Sequence, residues 1–258
     1  MGRYLAFVYG TVSYGIFFIT FLYLIGFLAN FWVPKGIDTG AGAPFAAALV
    51  INAVLIALFG VQHSVMARPG FKAVWTKIVP RPIERSTYVL LASIVLILLY
   101  WLWQPMPAIV WQAQAAWLVT ALWALFGLGF ALVLVSTFII NHFDLFGLRQ
   151  VFLNLRGKAY TDEPFKVTFF YRFVRHPLYV GWFIAFWATP TMTVGHLLFA
   201  IGMSAYIVLA VPHEERDLVK ALGHDYVEYQ KRVPKFVPRL GKAHEPVTAP
   251  ARQTLANH

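Results

Sequence analysis

Residues 115–141 read AAWLVTALWALFGLGFALVLVSTFIIN, a run with no Asp, Glu, Lys or Arg. As an α-helix this run is about 40 Å long, more than the ~30 Å of a bilayer's hydrocarbon core. It has no flanking strand, and its GLG at 127–129 lacks the third glycine of a dinucleotide fingerprint. That glycine pair reads as a place where another helix comes close. Working outward, further uncharged stretches cover 4–34, 39–67 and 178–213. Hydrophobic residues make up 59% of the 258 and charged residues 12%, about half the charge of an ordinary soluble domain. The fold class is therefore all-α, a polytopic membrane helix bundle. Helices are expected at 4–33, 43–65, 87–104 and 115–141, followed by a tight hairpin over 178–212 that turns at TPTMTVGH, 189–196. That gives five to six transmembrane segments.

The first run, 4–33, is too long for a signal-peptide core and reads as a retained helix. There is no cysteine, which excludes disulfides and thiolate metal sites; no other spacing makes a convincing metal site. The net charge of +10 is explained by basic loops beside anionic lipid, so no nucleic-acid partner is expected. Loop 66–86 carries Arg68, Lys72, Lys77, Arg81 and Arg85, and loop 142–177 carries Arg149, Arg156, Lys158, Lys166, Arg172 and Arg175. Loop 105–114 carries no charge. The positive-inside rule then places both termini and both basic loops in the cytoplasm, with six crossings. Phe71, Val74, Trp75 and Ile78 form one stripe at helical spacing, which predicts an interfacial amphipathic helix over 68–79. Residues 213–232 read as a polar helix leaving the membrane, interrupted at Gly223. Residues 1–239 are taken as one membrane domain, with its cofactor-binding part at about 141–239, and 240–258 as a disordered tail.

The titratable residues gather at one end of this bundle. His63 closes the second helix, Glu84, Arg85 and Tyr88 open the third, and His142 and Asp144 close the fourth. Arg175 and His176 open the hairpin, and Glu214 and Glu215 follow it. Ionisable groups at the edge of a membrane are costly unless they face a cavity and are used. In RHPLYVGW, 175–182, Pro177 suits the first turn of a helix. The free N–H groups there suit a carboxylate, and Arg175 is a candidate to grip the same carboxylate. Gly181 leaves room for a ligand. The two glutamates are suited to an ammonium group or to ribose hydroxyls. A transporter is disfavoured, because no charged residue lies at mid-membrane depth and no internal repeat is found.

RHPLYVG at 175–181, a hydrophobic hairpin, then EERDLVKALGHDYVEYQKRVPKFVP at 214–238 resembles the integral-membrane methyltransferases, which include the isoprenylcysteine carboxyl and phospholipid methyltransferases. FGVQHSVMARPGFK at 59–72, ERSTYVLLAS at 84–93, NHFDLFGLRQ at 141–150 and FWATPTMTVGHLLFA at 186–200 are similar to the subgroup that methylates methanethiol to dimethyl sulfide. NnrU-like membrane proteins share parts of the front half. The resemblance implies S-adenosylmethionine as methyl donor, leaving S-adenosylhomocysteine. It implies a cofactor site at Arg175, His176, Pro177, Tyr179, Gly181, Glu214 and Glu215, and a bacterial inner-membrane location. A small apolar thiol is the implied acceptor, with a lipid amine or a prenylated thiol or carboxylate as the rival. A thiolate attacks far better than a thiol, so a base is expected. His142 is the first candidate, with Asp144 orienting its imidazole, and His63 is the second.

Overall fold

The computed structural model describes residues 2–161 and 167–238. The proposed tail, 240–258, and Lys166 lie outside the described residues. Among the described residues five helices are long and apolar enough to cross a membrane: α1 (Arg3–Ala29), α2 (Phe45–Ala67), α4 (Arg81–Leu102), α5 (Ala116–Ile140) and α9 (Val194–Leu222). Between them lie the short helices α3 (Pro69–Trp75), α6 (His142–Leu145), α7 (Leu148–Leu155) and α8 (Pro177–Trp187), and α10 (His224–Arg232) follows. This is the all-α bundle of an integral membrane protein, with boundaries close to those read from the uncharged runs.

The hairpin has unequal arms. Its first arm, α8, has 11 residues and so spans about 16 Å, half a hydrocarbon core. Among the described residues the count is thus five long helices and one short one, in line with five to six segments. After α8 the chain extends into β2 (Thr191–Thr193), which pairs antiparallel with β1 (Ile109–Gln112) from the uncharged loop. Backbone groups in an apolar setting need partners, and this pair supplies them where α8 stops short. Neither strand shows the alternation that announces one in a sequence.

α8 is held against α5 by backbone contact. A side chain at Gly129 would lie 2.6 Å from the Ala185 nitrogen, and one at Gly181 would lie 2.8 Å from the Gly129 carbonyl oxygen. The glycine pair of α5 is therefore a helix-packing site. Gly181 faces this seam, so the space it creates is filled by α5 and not by a ligand. Around the seam an aromatic core forms: Trp182 meets Phe130 and Phe21 edge-on and stacks on Phe186.

The basic loops all fold onto one end. Arg3, at the start of α1, lies against Gly157, and Val151 of α7 presses on Gly10 of α1. Arg68 bonds Asp217 of α9 at 3.1 Å. α3 carries the predicted interfacial stripe, with Phe71 stacked on Trp75, though it ends at Trp75. Gly223, at φ 65°, breaks α9 from α10, a backbone conformation that suits glycine.

Candidate functional site

Two adjacent glutamates on α9 have different surroundings. Glu215 is enclosed. One of its oxygens accepts from Arg175 Nε at 2.7 Å, from Arg175 Nη2 at 2.7 Å and from His176 Nε2 at 3.1 Å. Its other oxygen lies 3.3 Å from Lys235 Nζ. The side chains of Arg175 and Glu215 are each 8% exposed. Arg175 Nη1 donates to the carbonyls of Gln230 (3.0 Å) and Val233. The guanidinium is thus fully used by the protein. It welds the start of α8 to α9 and to the chain after α10.

That chain runs alongside the RHP segment like a short strand. Arg175 N–H donates to Pro234 O at 2.8 Å and His176 N–H to Lys235 O at 3.1 Å. Phe236 packs on His176 and Phe183. Below it, Tyr226, Tyr229 and Val233 form a small core with Val167, and Tyr229 Oη donates to Tyr171 O at 2.7 Å. Burial raises the Tyr226 and Tyr229 phenols well above their usual values, so both stay neutral donors.

Glu214 points elsewhere. Among the described residues its carboxylate accepts one hydrogen bond, from Tyr179 Oη at 2.7 Å. Tyr206 stands eight residues before Glu214 on α9, and both Tyr206 and Tyr88 of α4 flank the His63 ring. Nearby, α8 begins at buried Pro177 with no side-chain cap, so its first-turn N–H groups keep their capacity for an anion. An anion-accepting helix start and an under-used carboxylate stand side by side, each within reach of aromatic faces. That donor set fits a ligand with a carboxylate, an ammonium group, ribose hydroxyls and a sulfonium.

His63 lies on the far wall of the tyrosines. Its ring stacks on Phe59 at 5.2 Å, lies 5.1 Å from the Tyr88 ring and meets Tyr206 edge-on at 6.1 Å. Its Nδ1 is buried without a hydrogen-bond partner.

His142 is placed differently. It is 3% exposed, stacked on Phe138, with Tyr14 Oη 2.8 Å from Nε2 and Thr137 Oγ1 2.8 Å from Nδ1. Thr137 spends its own proton on Leu134 O at 2.6 Å, so its oxygen accepts from Nδ1–H, and Nε2 accepts from Tyr14. Burial lowers the imidazole's pKa, so it is neutral and both nitrogens are satisfied. Asp144 does not reach it. That carboxylate takes Arg149 Nη1 at 3.1 Å, Gln150 Nε2 at 3.2 Å and Tyr160 Oη at 3.1 Å. The expected orientation of the His142 imidazole by Asp144 is not formed.

Sequence reasoning named both glutamates, the RHP residues, Tyr88 and His63. It missed Tyr206, which stands eight residues before Glu214 on the same helix, a spacing close to two turns that places both on one face. It also missed Tyr14, whose place in the uncharged α1 gives no signal.

The profile of the NnrU protein family matches residues 51–236. A methanethiol S-methyltransferase of Mycobacterium tuberculosis is 55% identical over 238 residues, covering 92% of this chain and 98% of that protein. Methanethiol S-methyltransferase 1 of Bradyrhizobium diazoefficiens is 50% identical, covering 92% and 83%. Nurim of Mus musculus is 28% identical over 67% of this chain and 68% of its own. No solved structure gives a significant match. Matched over most of its length by that profile and over 92% of it by the two bacterial relatives, the chain belongs to the NnrU family.

Proposed function

We propose that this protein is a methyltransferase that uses S-adenosylmethionine to convert methanethiol into dimethyl sulfide at the basic end of its membrane bundle. The relatives named methanethiol S-methyltransferase support this reading. The observation in the structure that carries it is Glu214, held by Tyr179 beside the uncapped start of α8. When bound, the cofactor supplies a sulfonium methyl group. The chain's part is to bind, orient and keep dry. The first turn of α8 is suited to the carboxylate, and Glu214 with Tyr179 to the ammonium group or the ribose hydroxyls. Tyrosine faces suit the sulfonium. The Arg175–His176–Glu215 weld fixes the distance between these elements, so they meet the ligand preorganised. A thiolate and a sulfonium lose charge as they react, so the enclosed aromatic wall favours transfer by excluding water. We place the basic end on the cytoplasmic side of a bacterial inner membrane, where the donor is made.

A larger acceptor is the second reading. It draws on an apolar groove of about 270 Å³ between Leu132 of α5, Val180 of α8 and Phe170, Phe173 and Phe236, which suits an acyl or prenyl chain. The deciding experiment is a calorimetric titration of detergent-purified protein with S-adenosylhomocysteine, for the wild type and Glu214→Gln. Headspace gas chromatography for dimethyl sulfide accompanies it, with lipid methylation scored in parallel. Wild-type binding that Glu214→Gln loses, together with dimethyl sulfide formation, is the expected result. A folded wild type that binds nothing refutes the methyltransferase reading in favour of a non-catalytic membrane protein, and methylated lipid without dimethyl sulfide moves the acceptor to the second reading.

A further inference from the structure

The acceptor side of the site holds a feature that cofactor binding does not use. His63 Nδ1 is buried and unpartnered in a wall otherwise made of rings: Phe59 from its own helix, Tyr88 from α4 and Tyr206 from α9. A buried polar atom without a partner is expensive, and native proteins keep few of them. The Tyr88 hydroxyl lies 3.2 Å from His63 O, so the neighbouring phenol is directed to the backbone and leaves the ring nitrogen alone. Tyr206 stands on α9 about two turns before Glu214, so the wall around the orphaned nitrogen leads towards the carboxylate assigned to the cofactor.

We infer that His63 is the general base of the reaction, and that the thiol binds between α2, α4 and α9 with its S–H directed at Nδ1. This rests on the methyltransferase reading above. The chemistry of the wall suits a very small thiol. Its surface is mostly ring carbon, its unpartnered ring nitrogen is an acceptor, and a weak S–H donor loses little on leaving water. With the ring proton on Nε2, the Nδ1 lone pair takes the thiol proton. The sulfur electron pair then forms the new C–S bond to the transferred methyl. The breaking C–S bond returns its pair to the cofactor sulfur, leaving neutral S-adenosylhomocysteine and dimethyl sulfide. The imidazolium afterwards loses its proton to solvent. His142, whose two nitrogens are both occupied by Tyr14 and Thr137, has no lone pair to offer in this arrangement.

The charged group acting on His63 is Arg85 of α4, and the titratable groups facing it are Tyr88 and Tyr206. A base contributes about 10²–10⁴-fold. His63→Ala and the closer mimic His63→Asn are therefore expected to lose at least about a hundredfold in kcat/KM for methanethiol at neutral pH. S-adenosylhomocysteine affinity stays at the wild-type value, which also reports that the variants fold. The loss shrinks at high pH, where solvent ionises the thiol, and with methaneselenol, which is already ionised at neutral pH. In protein with ¹⁵N-labelled histidine rings bound to S-adenosylhomocysteine, methanethiol should move the His63 Nδ1 resonance and leave those of His142 in place. His63 variants that turn over like the wild type, or that lose methaneselenol and methanethiol activity equally, overturn the assignment of the base. A wild type that neither binds S-adenosylhomocysteine nor forms dimethyl sulfide overturns the reading beneath it as well.

Discussion

Glu214 and Glu215 are neighbours in sequence and should respond in opposite ways to the same substitution. Glu215→Ala leaves a guanidinium that is 8% exposed with Nε and Nη2 unpaired, beside a histidine that is 5% exposed. Removing one partner of a buried ion pair costs about 3–5 kcal/mol, because the other charge stays buried. Glu214→Ala removes a carboxylate whose hydrogen-bond partner is the Tyr179 hydroxyl; leaving that group unpaired costs about 1–3 kcal/mol. The difference between the two variants is therefore about 2 kcal/mol, or roughly thirtyfold in the unfolding constant. Unfolding by sodium dodecyl sulfate in mixed micelles, followed by the fluorescence of the nine tryptophans, measures it. S-adenosylhomocysteine titration should rank the variants the other way, with Glu214→Ala folded but unable to bind. Glu215→Gln, which keeps an acceptor for Arg175, should fall between the wild type and Glu215→Ala. Equal destabilisation by the two alanine variants, or a Glu215→Ala protein as stable as the wild type, would falsify the division into a weld and a ligand group.

Gly181→Ala places a methyl group 2.8 Å from the Gly129 carbonyl oxygen and 2.9 Å from the Val133 nitrogen; neither can retract without parting the helices, so a loss of about 1–3 kcal/mol is expected in the same unfolding assay. Tyr179→Phe should weaken S-adenosylhomocysteine binding about fivefold, the worth of one ordinary hydrogen bond, and shift stability little; unchanged affinity would remove Tyr179 from the site. For His142 the folded pKa lies below the unfolded one because of burial, so the unfolded chain binds the extra proton. Stability is then full above the unfolded value of about 6.5 and falls as pH drops from there towards the folded value. His142→Gln should flatten that part of a stability-against-pH curve; a curve as steep as the wild type's would assign the acid loss to another group.

Much of this was legible because the membrane imposes a strong code. An uncharged run such as 115–141 has one stable form in lipid, and basic residues collect in the loops of one end. The shortness of α8 was visible too, because TPTMTVGH at 189–196 cuts the apolar stretch soon after it starts; that this break is a strand borrowing hydrogen bonds from β1 was not. At the site, residue types were readable and partnerships were not. RHP and the double glutamate stood out, but the sequence alone cannot say that Arg175 turns to Glu215 and the Gln230 and Val233 carbonyls. The pairing of His142 with Tyr14 lies beyond any local spacing, since the two are 128 positions apart. His63 could be named as a candidate, but its orphaned nitrogen depends on rings from three helices.

The strand-like run through Val233–Phe236 has a consequence for biosynthesis. Arg175 is synthesised 58 positions before the Val233 carbonyl that receives it. As the chain emerges, the guanidinium has no final resting place, and the wall carrying Lys235 and Phe236 does not yet exist. Among the described residues all five long helices precede this run, so the bundle is inserted before the weld at Arg175 closes. Completion of that weld is thereby tied to translation through Phe236. A ribosome stalled before that point leaves a bundle threaded through the bilayer with the weld open, and a fusion placed directly after Pro238 would press on the weld itself.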